Sequence, residues 1–210
     1  MKNFAITITR TCGSGGTTIS KMIAEDLKID LYDRKLLMLA AEDSGINERL
    51  FAAADEDTKK SLLYKVSKRV FDGSLIPPES DDFTSNDNLF AYQAKVLREL
   101  IRDESFVVIG RGADVVLKNF SNVLRVFLYA PFENCVEHEK EWESINTMEA
   151  KKRIAQVNSY REAYYKYHTG KEWRNPENYD LCLNSAKFGY EGCASLIEDT
   201  LDKMLKGELK

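Results

Sequence analysis

The sequence has few of the residues that mark specialised protein classes. Its 210 residues include four cysteines, Cys12, Cys135, Cys182 and Cys193, and no two of them form a C-x-x-C pair. This spacing argues against a zinc ribbon, a thioredoxin-type motif and a dense disulfide framework, and it favours a reducing, cytoplasmic location. The first apolar stretch is too short for a signal peptide and has no small-residue cleavage site.

The chain also lacks an excess of charge of either sign. Thirty Lys and Arg residues against 34 Asp and Glu residues give a net charge of −4. No global field then draws the protein to nucleic acid or to an anionic membrane, and we expect neither as a partner. A polyanionic ligand would need a local basic site. The length and the 43% hydrophobic content predict one compact domain, residues 1–210, with a large core, but not its oligomeric state.

Short β-rich runs recur at wide intervals, with helix-compatible stretches between them. The runs are Phe4 to Thr9, Ile29 to Tyr32, Phe106 to Ile109, Leu124 to Tyr129 and Tyr179 to Leu183. Because they are almost continuously apolar, they predict a parallel sheet covered by helices on both faces, an α/β fold. Residues 34–105 are too many for one crossover helix, so we expect a helical insert over about 37–92 and a core over about 1–36 and 93–210.

The strongest chemical signal follows the first strand. Residues 10–18, RTCGSGGTT, form a glycine-rich turn that leads into an apolar helical pattern. Such a turn exposes backbone N–H groups at the positive end of a helix, which suits a phosphate. A tight turn that needs glycine and binds nothing is the alternative.

The turn matches neither standard nucleotide-binding template in full. Against the P-loop pattern G-x-x-x-x-G-K-[ST], Gly15 and Thr17 fit, but Arg10 stands at the first glycine and Gly16 at the lysine. The dinucleotide pattern G-x-G-x-x-G fits Gly13 and Gly15 but meets Thr18 at its third glycine. Without the lysine, another cation must neutralise the outer phosphates. The candidates are Arg10, Arg111 and Arg161.

Six segments in order resemble the cytidylate kinase-like family, within the nucleoside monophosphate kinases, over nearly the whole chain. They are the Gly13 to Gly16 turn, Leu27 to Arg34, Val107 to Ala113, Leu124 to Pro131, Arg161 to Gly170 and Asn178 to Ser185. The family's typical loop also lacks the P-loop lysine and usually has an arginine near the strand end.

The resemblance implies a P-loop kinase core with a five-stranded parallel sheet, a helical monophosphate-binding insert and a helical lid over about 138–162. It implies transfer of the γ-phosphoryl group of ATP to a nucleoside monophosphate, with CMP or dCMP as the expected acceptor and Mg²⁺ as cofactor. The residues that would cradle the donor phosphates are Gly13, Ser14, Gly15, Gly16, Thr17 and Thr18, with Thr17 on the metal.

Further roles are implied residue by residue. Asp33 and Arg111 would bind the acceptor, and Arg161 would close over the phosphates, with Arg153 two helical turns earlier. Asn184 and Ser185 would lie near the adenine. The expected catalytic cations are Arg10, Arg111, Arg153 and Arg161. One position departs from related sequences, since Asn158 stands where an acid often precedes the lid arginine.

Each candidate also has a structural interpretation. Arg111 could pair with Asp114, Asp33 could cap a helix, and Arg153 and Arg161 could lie on a solvated helix face. The two histidines, His138 and His168, have no ligand spacing and are interpreted as surface or helix residues.

The aromatic residues of the second half have two interpretations as well. They are Trp142, Tyr160, Tyr164, Tyr165, Tyr167 and Trp173. They could stack on a base, but the helical spacing of Tyr160, Tyr164 and Tyr167 favours packing against the core.

Two other functions remain open from the sequence. One is a kinase-like nucleotide-binding protein with little or no catalysis, because glycine replaces the P-loop lysine. The other is a P-loop kinase for a different small acceptor, because one core supports many substrates.

Overall fold

The computed structural model describes residues 3–33 and 86–209. Most of the expected insert, 37–92, lies outside these residues. Its last part, from residue 86, forms the start of a helix that continues to Asp103. Tyr92 and Leu97 of this helix are fully buried, so it packs as part of the core.

The predicted five-stranded parallel sheet is confirmed. Its strands are β1 (Ala5–Arg10), β2 (Asp30–Tyr32), β3 (Phe106–Ile109), β4 (Val123–Tyr129) and β5 (Leu181–Asn184). Their order in the sheet is β2-β3-β1-β4-β5, and every neighbouring pair is parallel. The predicted bounds of β3 are confirmed, and the other strands differ by one or two residues at an end.

The helices cover both faces of the sheet. They are α1 (Gly16–Leu27), α2 (Asn86–Asp103), α3 (Ala113–Val116), α4 (Phe132–Glu143), α5 (Thr147–Thr169) and α6 (Ser185–Leu205), with a short 3-10 helix at Pro176–Asn178. On one face α1 and α6 bury Ile19, Ile23 and Ile197 against the sheet. On the other face α2 and α3 bury Leu97, Leu100 and Val116.

The topology determines where a ligand can bind. The chain builds the sheet on one side of β1, through β2 and β3, and then crosses to the other side for β4 and β5. In such open parallel sheets the binding crevice lies outside the carboxyl ends of the strands where the direction reverses. Here that edge carries the turns after β1 and β3. Within 3–33 and 86–209, no helix has the length and apolar character needed to cross a bilayer.

Candidate active site

The turn after β1 is held in shape by its own residues. The hydroxyl of Ser14 donates to the carbonyl oxygen of Thr11 at 2.9 Å, so this side chain stabilises the turn from inside. Gly13 and Gly15 have φ angles of 78° and 72°, a left-handed conformation that favours glycine. Gly15 caps α1 without a side-chain hydrogen bond, and the first turn of the helix has no acidic residue. The N–H groups of Thr11, Cys12 and Ser14 bond within the protein, whereas those at the start of α1 lie at a positive helix end that has no side-chain cap.

The glycines are also required by close neighbours. A Cβ atom on Gly13 would lie 2.6 Å from the carbonyl oxygen of Cys135, which belongs to the backbone of α4. A Cβ atom on Gly15 would overlap the ring of Tyr190. Both positions thus combine a left-handed backbone with a lack of space, and the turn lies tightly between α4 and α6.

We expect Gly13→Ala to destabilise the protein by about 3 kcal/mol or more, since a left-handed alanine costs about 1–2 kcal/mol and the clash adds to it. Gly170→Ala is the matched control. Gly170 has a φ angle of 70°, but nothing lies within 4 Å of its added Cβ atom, so only the backbone cost applies. Urea unfolding of the two variants measures the difference. Equal losses would show that the backbone of α4 moves away freely.

The side chain of Arg10 passes directly over Gly16, the residue at the lysine position of the P-loop template. A Cβ atom on Gly16 would lie 2.6 Å from Cγ of Arg10, so glycine is needed there to let the arginine pass. Farther along the same side chain, Nη1 lies 2.7 Å from the Cβ position of Gly110, in the turn after β3. The Arg10 side chain therefore runs from the first glycine turn to the second.

The charge of Arg10 lies in an unfavourable environment. Burial, and then repulsion from Arg161 and Arg111, lower the pKa of Arg10 to about 9, while Asp33 and Cys12 act weakly in the opposite direction. Its Nε atom is buried and has no hydrogen-bond partner among the described residues. The guanidinium remains charged at neutral pH, so this cluster of cations favours an anion.

The two arginines of α5, Arg153 and Arg161, have different surroundings. Nη1 of Arg161 donates to the carbonyl oxygen of Arg10 at 3.1 Å, and burial lowers the pKa of Arg161. Arg153 instead pairs with two carboxylates of α4, Glu139 at 2.8 Å and Glu143. Hydrogen bonding to Glu139 raises the pKa of Arg153. Arg161 therefore adds positive charge to the site, whereas the charge of Arg153 is largely neutralised.

Arg111 lies in the turn after β3 in a strained conformation. Its φ angle is 62°, which is uncommon for a side chain of this size, and the flanking Gly110 and Gly112 also have positive φ. The guanidinium lies 5.3 Å from the ring centre of Tyr164, and Nη2 is buried with no hydrogen-bond partner among the described residues. Asp114, the alternative partner weighed above, accepts a hydrogen bond from the Tyr165 hydroxyl at 2.6 Å.

Two cavities meet at these arginines. The first, of about 320 Å³, lies at the turn after β3 and is lined by Arg111 and by Tyr160 and Tyr164 of α5. The second, of about 290 Å³, lies along the first glycine turn and reaches Trp142 at the end of α4. Arg10, Val157 and Arg161 line both. We call these the Arg111 cavity and the glycine-turn cavity.

The other predicted site residues divide into two groups. Thr17, which is exposed, and Thr18 line the glycine-turn cavity, and Asp33 is exposed after β2, close enough to affect Arg10 electrostatically. Asn184 accepts a hydrogen bond from the N–H of Ala186 and caps α6. Ser185 donates to the carbonyl oxygen of Tyr129 at 3.3 Å. Neither Asn184 nor Ser185 lines either cavity.

Asn158, the position that departs from related sequences, supports the turn. Its Oδ1 atom accepts a hydrogen bond from the N–H of Cys12 at 2.8 Å. The residue, three positions before Arg161, thus joins α5 to the glycine turn. A carboxylate could accept the same bond, so the amide keeps this link while placing no negative charge beside the arginines.

The expectation that Tyr160, Tyr164 and Tyr167 pack against the core is wrong for Tyr160 and Tyr167, whereas Tyr164 is half-buried and its ring meets Phe90, which packs against the core. Tyr160 and Tyr167 are 51% and 70% exposed, and Tyr160 and Tyr164 line the Arg111 cavity. The tyrosine of α5 that is buried is Tyr165. The reason is that α5 buries only a few of its residues, so helical spacing alone does not tell which face meets the protein.

Sequence reasoning missed His138 as a cavity residue and the contact of Tyr190 with Gly15, and it weighed Trp142 only as one of six aromatic residues that could stack on a base. His138 and Trp142 line the glycine-turn cavity, and Tyr190 contacts Gly15. One available signal was the spacing of four residues between His138 and Trp142 on one helix, which places their side chains next to each other.

Sequence comparisons agree with this geometry. The model of the cytidylate kinase-like family matches residues 5–187. A cytidylate kinase of Methanopyrus kandleri is 24% identical over 204 residues, which cover 97% of this chain and 95% of the relative. A cytidylate kinase of Pyrococcus horikoshii is also 24% identical, over 95% of this chain and 88% of its own length.

Solved structures show the same fold. An uncharacterised protein from Eubacterium ventriosum superposes with a TM-score of 0.70 at 20% identity, and the match covers 95% of this chain and 99% of that one. The APS kinase of Mycobacterium tuberculosis, solved with AMPPNP and APS, superposes with a TM-score of 0.51 at 16% identity, over 96% and 98% of the two chains. At these identities the likeness establishes the fold of P-loop kinases and nothing finer.

Proposed function

Because this chain belongs to the cytidylate kinase-like family, we propose that it transfers the γ-phosphoryl group of ATP to a nucleoside monophosphate, most readily CMP or dCMP. The observation that carries this proposal is the meeting of two cavities at Arg10 and Arg161. A donor phosphate chain in one cavity and an acceptor phosphate in the other would face each other across these two cations.

The glycine-turn cavity suits the donor. The N–H groups of the turn and the start of α1 would hold the phosphate oxygens. Arg10 would neutralise the outer phosphates from the place that a lysine fills in the usual motif, and Arg161 would do so from α5. Phosphoryl transfer needs positioning and charge stabilisation more than covalent catalysis. The arginines between the two cavities could supply both.

Magnesium fits this site through the donor phosphates. The exposed hydroxyl of Thr17 in the first turn of α1 would complete its shell, and the ion would offset charge on the outer phosphates. Among residues 3–33 and 86–209 no group of three or more His, Cys, Asp or Glu side chains could hold a metal. Glu139 and Glu143, the carboxylates of this cavity, are paired with Arg153. The metal would therefore enter with the nucleotide.

The Arg111 cavity suits the acceptor. A guanidinium with a buried, unpartnered nitrogen would bind the monophosphate, and the rings of Tyr160 and Tyr164 would contact the rest of the ligand. A cytosine base is supported by the family match and by the activity named for the two archaeal relatives. Asp33 follows β2, the strand beside β3, and would bind the acceptor from that side of the sheet.

A coupled assay of ADP formation tests the proposal. Purified protein is incubated with ATP, Mg²⁺ and each of CMP, dCMP, UMP, dUMP, AMP and GMP, and the product is identified by chromatography. We expect a diphosphate product with turnover on the order of 1–100 s⁻¹ for CMP or dCMP. No turnover with any monophosphate would refute a nucleoside monophosphate kinase. Turnover with a purine alone would refute the cytosine assignment.

A further inference from the structure

Three aromatic side chains form a row beside the glycine turn. Tyr190 of α6 packs on Gly15, and its ring meets His138 of α4 edge-on, with 6.2 Å between ring centres. His138 in turn stacks on Trp142, with 5.8 Å between centres and 12° between planes. We call these residues the aromatic row. It runs from the turn toward solvent.

Trp142 ends the row in an unusual environment for tryptophan. It is 61% exposed, although one face of its ring lies against His138. The other tryptophan, Trp173, is 3% exposed and packs edge-on against Phe127 in a buried aromatic cluster. Because Trp142 is so exposed, it contributes little to the core. A large aromatic surface at a cavity rim is typical of a ligand contact.

The glycine-turn cavity joins this surface to the phosphate-binding turn. The same cavity of about 290 Å³ is lined at one end by His138 and Trp142 and at the other by residues of the turn and the start of α1, namely Gly13, Gly15, Gly16, Thr17 and Thr18. A ligand with phosphates at one end and a flat ring at the other would therefore contact both. A nucleoside triphosphate has this form.

We infer that Trp142 is the stacking platform for the nucleobase of the donor nucleotide, an inference that rests on the proposed function. The residues expected near the adenine, Asn184 and Ser185, do not line this cavity. Every nucleobase has a face that stacks on an aromatic ring, so stacking does not depend on base identity.

The platform also predicts how the donor is selected. Reading a base edge needs hydrogen-bonding groups. At this end of the cavity Glu139 and Glu143 are held by Arg153, and the ring of His138 is stacked on Trp142 with its Nδ1 atom buried. The donor site therefore accepts ATP and GTP with similar efficiency. Pyrimidine triphosphates, which have smaller stacking surfaces, bind more weakly.

Tryptophan fluorescence tests the inference without requiring turnover. We expect AMP-PNP and GMP-PNP with Mg²⁺ to quench the emission of the wild-type protein, and inorganic tripolyphosphate to bind without quenching it. Trp173 is 3% exposed and lines the Arg111 cavity but not the glycine-turn cavity, so the Trp142→Phe variant assigns the quenched signal to one of the two tryptophans. In Trp142→Phe the quenching should disappear while calorimetric affinity for AMP-PNP stays within about threefold.

Affinity measurements on a truncated side chain complete the test. Trp142→Ala should weaken AMP-PNP about 10-fold or more, as expected for loss of one base-aromatic stack, and leave tripolyphosphate unchanged. Tyr167→Ala is the matched control, since Tyr167 is 70% exposed on α5 and lines neither cavity. It should bind both ligands like the wild type. Both substituted residues are exposed, so the variants should fold.

The outcomes separate this inference from the proposed function. If AMP-PNP does not bind the wild-type protein, both are overturned. If AMP-PNP binds but Trp142→Ala binds it equally well, or if quenching persists in Trp142→Phe, the inference is overturned and the kinase proposal stands. A preference for ATP over GTP greater than about 30-fold in kcat/KM would refute selection by stacking alone.

Discussion

Replacing Arg10 with methionine is expected to lower kcat by about 100- to 1,000-fold and to leave the ligand-free protein at least as stable as the wild type. The loss of turnover follows from removing a charge that faces the outer phosphates, where a single donor to the developing charge has an effect of this size. Steady-state kinetics at saturating ATP and CMP measure it.

The stability of the variant follows from the surroundings of the guanidinium. The guanidinium of Arg10 is buried and is repelled by Arg161 and Arg111. Its Nε atom has no hydrogen-bond partner among the described residues. Apolar side chains of similar length often replace such buried charges at no cost or with a gain. The hydrogen bond from Arg161 goes to the carbonyl oxygen of Arg10, so it survives the substitution. Thermal unfolding without ligand tests this half of the prediction.

Arg125→Met is the matched control. Arg125 also lies in a central strand, but its guanidinium binds both carboxylate oxygens of Asp180, with 2.9 Å between Nε and Oδ2. Removing it should cost about 1 kcal/mol of unfolding free energy and leave kcat within about twofold. If Arg10→Met kept full turnover, the replacement for the missing lysine would lie elsewhere. If both variants lost stability equally, Arg10 would be a structural arginine.

The site could be only partly predicted from the sequence, because some of its features are local and others depend on contacts between distant residues. The apolar strands, the glycine turn and its helix follow from local sequence, because burial on both faces and left-handed turns each need particular residue types. The position of Arg10 was predicted as a substitute for lysine. Its passage over Gly16 to Gly110 was not, because that contact joins two turns that are 100 residues apart.

The cavity walls were the least predictable part. Helical spacing placed Tyr160 and Tyr164 on one face of α5, but only the packing of α5 beside the sheet shows that this face borders the Arg111 cavity. The same holds for Trp142, whose partner His138 is local but is itself packed against Tyr190 of α6. Contacts between distant helices leave no periodic signal in the sequence.

Arg111→Ala is expected to raise the KM for CMP by about 100-fold and to change the KM for ATP by less than about threefold. A guanidinium that binds phosphate in a forked geometry contributes about 1.5–3 kcal/mol through its charged hydrogen bonds. Arg111 lines the Arg111 cavity, where we propose that the acceptor binds, and does not line the glycine-turn cavity, so its loss should affect one substrate. Arg102→Ala is the control, because Arg102 pairs with Glu99 on the surface of α2.

The left-handed backbone of Arg111 allows binding and structure to be separated. Arg111→Gly removes the same guanidinium but suits a φ angle of 62°, so it should be about 1 kcal/mol more stable than Arg111→Ala. Both variants should show the same rise in the KM for CMP. Arg111→Lys should recover only part of the affinity, because an ammonium keeps the charge and lacks the fork.

If the KM for CMP rose most in the least stable of the three Arg111 variants, the turn after β3, and not the guanidinium, would determine acceptor binding. Equal acceptor defects at unequal stabilities would instead show that Arg111 is kept in a strained backbone because its side chain binds the acceptor. Strained residues held in this way cluster at binding sites, since the surrounding fold holds them against their local preference. Here Gly110 and Gly112, each with positive φ, form that surrounding turn.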